Sequence, residues 1–233
     1  EVDSGNGVLA IWSWRTEAWS TTTSWPGFGT YAGAHAVQDD ETILAASFVG
    51  GERGLELFRW HRTTGFGAAT MLAPYGGEMV FETTLVVDGL GDGAVLAYLS
   101  QSQLLDGHPL RAGAPVGPPS RLGPTGTQKI DSDFSATLLP SGELLTVWTE
   151  GTVRVVSAVF SVVADQGVWS EPRVIASTFA GRPHVRADAM GRAVAIYSNE
   201  LGDHWMRRDT DGTWSEPRPM GTRNVHGWQL VED

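Results

Sequence analysis

The pentapeptide Trp-Ser-Glu-Pro-Arg occurs twice, at 169–173 and 214–218, and each copy follows a short apolar run: LLTVW ending at Trp148 and AVAIY ending at Tyr197. A duplicated unit of this size restricts the fold more than composition does, because one strand-turn-strand unit cannot bury its apolar face without its neighbours. The same run recurs as VLAIW ending at Trp12, ILAAS ending at Ser47 and AVLAY ending at Tyr98. Successive intervals are 35, 51, 50 and 49 residues, and the circular interval from Tyr197 through the chain ends to Trp12 is 48.

Five units covering all 233 residues predict an all-β chain, a single five-bladed β-propeller over 1–233. The blades are expected at about 225–233 plus 1–29, then 30–76, 77–125, 126–177 and 178–222. The sequence starts on a second-strand run, Gly7 to Trp12, whereas residues 225–231 (VHGWQLV) read as an innermost strand. The C-terminal strand is therefore expected to pair with the N-terminal one and close the ring, leaving no open sheet edge. The first unit is short. Either Arg15 to Glu17 make a tight turn into Trp19, or the third strand is Glu17 to Thr23 and the fourth starts at Trp25.

The turns carry the next signal. Asp209-Thr210-Asp211-Gly212 leads to Trp214, and Asp165-Gln166-Gly167-Val168 leads to Trp169 in what reads as the same turn. Acidic residues bonding their own turn backbone, Gly with positive φ and an aromatic plug between blades explain these residue types structurally. The pattern resembles the sialidase or Asp-box propellers, whose turn is Ser-x-Asp-x-Gly-x-x-Trp. This chain lacks the Ser and is about one residue shorter, and its early units keep only fragments such as Thr64-Gly65-Phe66. The resemblance implies the architecture and no activity. A second resemblance, to five-bladed tachylectin-like lectins, rests on blade count and repeat length.

The net charge of −11 argues against nucleic acid as a partner. No apolar run has membrane length, and the absence of cysteine removes thiol and disulfide chemistry. A monomer is expected, with a secreted or periplasmic location favoured over others. In a propeller the first strands line the central channel, and function usually resides in groups not committed to packing. Those segments carry Tyr31 and His35; Glu82 and Thr84; Lys129, Asp131, Asp133 and Ser135; Arg182, His184 and Arg186; Arg223, His226 and Trp228.

Polar residues there are explained equally by a channel that is simply hydrated. The functional alternative makes Glu82, Asp133, His184 and His226 general acids and bases, with Lys129 and Arg182 gripping an anionic group and Tyr31, His35 and Trp228 contacting ligand. No cofactor is expected. A divalent metal on His35, His184, His226 and one carboxylate is a further alternative, without the short His spacing of a metal motif. Because the frame repeats and the linings differ, one central site is expected. It would act on a glycan or another carbohydrate-like small molecule by hydrolysis or elimination, in the manner of a glycoside hydrolase or lyase. A sugar-binding module without catalysis and a protein-docking propeller remain the other readings.

Overall fold

The structure is a computed structural model that describes residues 54–125, 128–178 and 181–220 throughout. Before these it describes the strands Gly7–Leu9 (β1), Trp12–Ser13 (β2), Ala18–Trp19 (β3), Thr23–Trp25 (β4), Gly33–Val37 (β5) and Thr42–Val49 (β6). Among the described residues every regular element is a strand and none is a helix.

Four antiparallel meanders follow one another. β5, β6, Gly54–His61 (β7) and Gly65–Phe66 (β8) pair in that order, and Thr70–Ala73 (β9) also pairs with β7. Val80–Val87 (β10), Gly93–Leu99 (β11), Leu104–Arg111 (β12) and Ala114–Pro115 (β13) repeat this, with Ser120–Leu122 (β14) on β12. Ile130–Leu138 (β15), Leu144–Glu150 (β16), Arg154–Val163 (β17) and Gln166–Trp169 (β18) repeat it again, with Arg173–Ala176 (β19) on β17. The last sheet comprises Gly181–Ala187 (β20), Ala193–Asn199 (β21), Gly202–Arg208 (β22) and Arg218–Pro219 (β23). At the N-terminus β1 pairs with β4 and β2 with β3, placing Trp12 opposite Trp19. The run at 7–13 thus takes a partner at each end, as β7 takes β8 and β9, the pairing of a third strand rather than of the second strand expected. The segment 225–231 proposed for ring closure lies outside the described residues.

The second strands β11 and β16 pack against sheets on both sides, which is why these runs are apolar at nearly every position. Leu44 and Ala46 of β6 meet Val95, Ala97 and Leu99 of β11. The other face of β11, Ala94, Leu96 and Tyr98, meets Leu144 and Trp148 of β16. Leu145 and Val147 of β16 meet Ala193 and Ala195 of β21.

These contacts correct the expected repeat frame. Trp148 and Tyr197 both face the preceding sheet, whereas Tyr98 faces the following one. The hairpin turns agree. Gly91, Gly142 and Gly191 hold φ of 84°, 83° and 83°, conformations suited to glycine, and their N–H groups donate to Asp88, Leu139 and Asp188 O. Counted from these glycines, the residue equivalent to Trp148 and Tyr197 is Ala97, so the third run is GAVLA and not AVLAY. A slip of one residue exchanges the two faces of a strand, and a run apolar throughout hides the slip.

The duplicated pentapeptide spans a break in the outermost strand. Trp169 ends β18 and Arg173 starts β19; Trp214 bridges Arg208, and Arg218 starts β23. Proline, which cannot donate to a ladder, occupies the gap at 172 and 217. Serine bridges it: Ser170 N–H donates to Val159 O at 2.8 Å and its Oγ accepts from Val159 N–H at 2.9 Å. Ser215 does the same with Arg207, at 2.8 and 3.0 Å. Trp169 packs edge-on to Phe160 and donates its indole N–H to Ser120 O of the neighbouring sheet at 3.0 Å, so it is an inter-sheet plug. Trp214 packs against the apolar clusters between the last two sheets. Ser170→Ala and Ser215→Ala should each cost about 0.5–1 kcal/mol, since each strips a strand N–H of its acceptor. In different sheets the losses should add, as urea midpoints of the double variant would show.

The turn at Asp165 differs from the one it was expected to repeat. In the Asp209 turn, Asp209 N–H donates to Thr213 O, Gly212 N–H donates to Asp209 O, and Asp211 accepts from Thr213 N–H at 2.9 Å. Ala164 and Asp165 instead both take positive φ, 49° and 62°, as a tight two-residue turn requires. The Asp165 carboxylate is taken by Arg111 of the preceding sheet at 2.8 Å.

Candidate functional site

The first strands β5, β10, β15 and β20 lie side by side in that order. Their edges are tied by side chains. Ser135 Oγ accepts from Val185 N–H and Thr137 Oγ1 from Ala187 N–H, both at 3.3 Å, so Ser135 serves the joint between β15 and β20.

Three of these strands are irregular at the same level. In β10 one residue, Phe81, is extra between the pairs Val80 with Leu99 and Glu82 with Tyr98. In β15 three residues, Asp131 to Asp133, oppose Thr149 alone, between Ile130 with Glu150 and Phe134 with Trp148. In β20 Arg182 and Pro183 oppose Tyr197. Bulges re-aim side chains and concentrate beside functional sites. Here they bring to one level the polar groups that a regular ladder would turn alternately away.

The bulge in β15 is fastened at its base. Lys129 O accepts from Gly151 N–H at 2.8 Å, Asp131 Oδ2 from Thr152 N–H at 2.7 Å, and Ile130 O from Tyr98 Oη–H at 3.0 Å. Asp131 is thereby engaged in holding a turn, while the Lys129 side chain is exposed. Asp133 extends towards Gly181 of the next sheet, whose missing side chain leaves its Oδ2 about a contact distance away from where a Cβ would stand, 3.9 Å.

Electrostatics link three of the predicted acid–base residues. Burial first, and then the charge of Asp133, push the Glu82 carboxyl up to about 7. The His184 imidazole is lowered, by the packing around it and by Arg186, with Asp133 pulling the other way, although much of the residue meets solvent. Glu82, Asp133 and His184 therefore share one neighbourhood. The buried Thr149 Oγ1, opposite the β15 bulge, has no hydrogen-bond partner among the described residues.

The side chains of the other expected ligand and acid–base residues, apart from Lys129, are not among those described. Tyr31, His226 and Trp228 lie outside the described residues. His35 is placed on β5 and Arg182 on the β20 bulge by backbone alone, since their side chains are not described. Among the described residues no cluster of three or more His, Asp or Glu is arranged to hold a metal ion. Sequence reasoning missed the bulges, Gly181 and the role of Tyr98. The excess length of IDSDFSATL before its turn was the available signal.

A second polar constellation lies between the sheets of β7 and β12. Asp106, with its side chain 0% exposed, is gripped by Arg121 through Nε at 2.8 Å and Nη2 at 2.9 Å. His108 on the same strand shares a 2.7 Å hydrogen bond between its Nε2 and Tyr75 Oη. Burial pushes the His108 imidazole down to about 4, against the pull of Asp106, and Arg121 adds to the depression. Burial and the Asp106 charge push the Tyr75 phenol well above its ordinary value.

No protein-family model matches the sequence, and no curated protein matches it. Solved structures do. AofleA from Arthrobotrys oligospora superposes with a TM-score of 0.59 at 10% identity, over 93% of this chain and 66% of that one. A mutant Aleuria aurantia lectin in complex with Fucalpha1-6GlcNAc gives 0.51 at 12% identity, over 90% and 71%. The exo-beta-1,3-galactanase 1,3Gal43A from Clostridium thermocellum gives 0.51 at 10% identity, over 83% of this chain and 49% of the enzyme. The chain thus spans slightly under two thirds of AofleA and about half of the galactanase. At such identities the likeness defines the fold: an all-β architecture of the propeller kind, built from successive antiparallel sheets.

Proposed function

We propose that the chain is a five-bladed propeller with one central site that cleaves a carbohydrate-like ligand by acid–base chemistry. The observation that carries this reading is the coupling of Glu82 to Asp133 at the level of the three bulges. A carboxyl held protonated near neutral pH beside a carboxylate is the division of labour that glycosidic cleavage or elimination needs. Glu82 donates its proton to the departing oxygen. Asp133 acts as base towards water or a ring proton, or attacks carbon directly, and the product anomer would tell inversion from retention. His184, at the edge of the same neighbourhood, holds or relays a proton. The five-blade reading is supported by the paired strands β1 to β4 preceding four regular sheets.

Sugar binding without turnover is the second reading, favoured by the fold shared with a lectin. Both are tested by offering reducing-end-labelled glycans to the wild type, Glu82→Gln and Asp133→Asn, with glycan-array binding in parallel. Catalysis predicts cleavage that falls at least about 100-fold in either variant while binding survives. Binding without cleavage in the wild type selects the lectin reading. If no glycan is bound or cleaved, both readings fail.

A further inference from the structure

We propose that Tyr98 is the positioning residue that fixes the Glu82 and Asp133 carboxylates relative to each other, tying the strand of one to the bulge of the other. The inference rests on the acid-pair reading above and adds what holds the pair together.

Tyr98 is the cross-strand partner of Glu82 in the β10–β11 ladder. Its side chain leaves that sheet, enters the apolar cluster formed with Ile130, Phe134 and Trp148, and ends with Oη donating to Ile130 O at 3.0 Å. Ile130 and Phe134 are the two residues that flank the bulge carrying Asp133. One side chain therefore packs against both ends of the bulge and hydrogen-bonds its foot. The other fastenings at that foot, from Gly151 and Thr152, come from within the same sheet. They shape the bulge without locating it against Glu82.

The corrected repeat frame gives independent reason to single out this residue. Counted from the turn glycines, Tyr98 is equivalent to Thr149 and Ser198, which are too small to reach a neighbouring strand in this way. Burial and the nearby Asp131 charge keep the phenol protonated, hence a donor. A buried tyrosine needs some partner for its hydroxyl. Here that partner is a carbonyl of the strand whose placement sets the Glu82–Asp133 separation.

The test reads Glu82 directly, without a substrate. Glutamate carboxyl-13C NMR would follow its titration in wild type, Asp133→Asn, Tyr98→Phe and, as a control, Tyr197→Phe, a buried tyrosine of the last sheet. The wild-type midpoint should lie near 7 and fall in Asp133→Asn. In Tyr98→Phe, with cooperative melting retained, it should fall by about half a unit or more as the pair loosens, and Tyr197→Phe should leave it in place. A fall in Asp133→Asn with no change in Tyr98→Phe overturns the positioning role and leaves the acid pair standing. Equal shifts in Tyr98→Phe and Tyr197→Phe overturn it as well, since the effect would be general loosening. No change in Asp133→Asn overturns the pair itself.

Discussion

Replacing Arg121 by alanine should destabilise the protein by about 3–5 kcal/mol, and replacing Asp106 by alanine should cost distinctly less. The asymmetry follows from where the two charges sit. The Asp106 side chain is 0% exposed and the Arg121 side chain 52%. Without Asp106 the guanidinium can turn into water, and the loss is that of a charge-assisted hydrogen-bond pair. Without Arg121 a carboxylate is left among packed side chains with its bidentate partner gone. His108 then decides the pH dependence. In the wild type, Arg121 helps hold His108 neutral and Asp106 opposes it. Removing Arg121 leaves burial as the one influence opposing the Asp106 attraction, so the folded-state pKa of His108 should rise from its depressed value. In the wild type His108, held near 4 against an ordinary 6.5, costs stability as pH falls through that interval, and a folded-state pKa moved back towards 6.5 lessens this cost at low pH. The Arg121→Ala defect should therefore be smaller at pH 5 than at pH 8 in urea unfolding. An equal defect at both, or a larger one for Asp106→Ala, would mean that water reaches Asp106.

The order of strands was readable in the sequence because second strands covered on both faces leave unbroken apolar runs, and the outermost strand announces itself by Trp-Ser and its proline. The same covering made the phase of one run unreadable. AVLAY and GAVLA are equally apolar, and only the φ of Gly91 and the direction of Tyr98 separate them. Glu82, Asp133 and His184 could be listed from sequence because charged residues interrupt first strands, whereas their proximity depends on bulges, which are differences of register between two strands and invisible in either alone. The Asp106–His108 pair escaped for another reason. It alternates along β12 like a solvent-facing pattern, yet that face is covered by the adjoining sheet and by Tyr75.

Glu82→Gln should make the protein more stable at pH 8 and leave it nearly unchanged at pH 4. The folded-state pKa of Glu82 is about 7, against an ordinary 4.5, so between these values the folded protein holds a proton that the unfolded chain releases. Stability linked to Glu82 is therefore fully present below about pH 4.5 and is lost as pH rises through 7. At about 1.4 kcal/mol per pH unit the full loss is on the order of 3 kcal/mol, an upper figure because the group is only partly buried. Glutamine retains the shape and cannot ionise, so the difference between Glu82→Gln and wild type should open across this interval and level off above it. Asp133→Asn should narrow it by removing the charge that opposes ionisation. A chain that keeps a carboxyl at such a cost, where an amide would fit, holds a proton that is removable near neutral pH. If Glu82 is the proton donor, turnover should decline over the same range in which stability does, with both midpoints falling together in Asp133→Asn. A pH-independent difference between Glu82→Gln and wild type would show that Glu82 is solvated, and would remove the acid from the proposed pair.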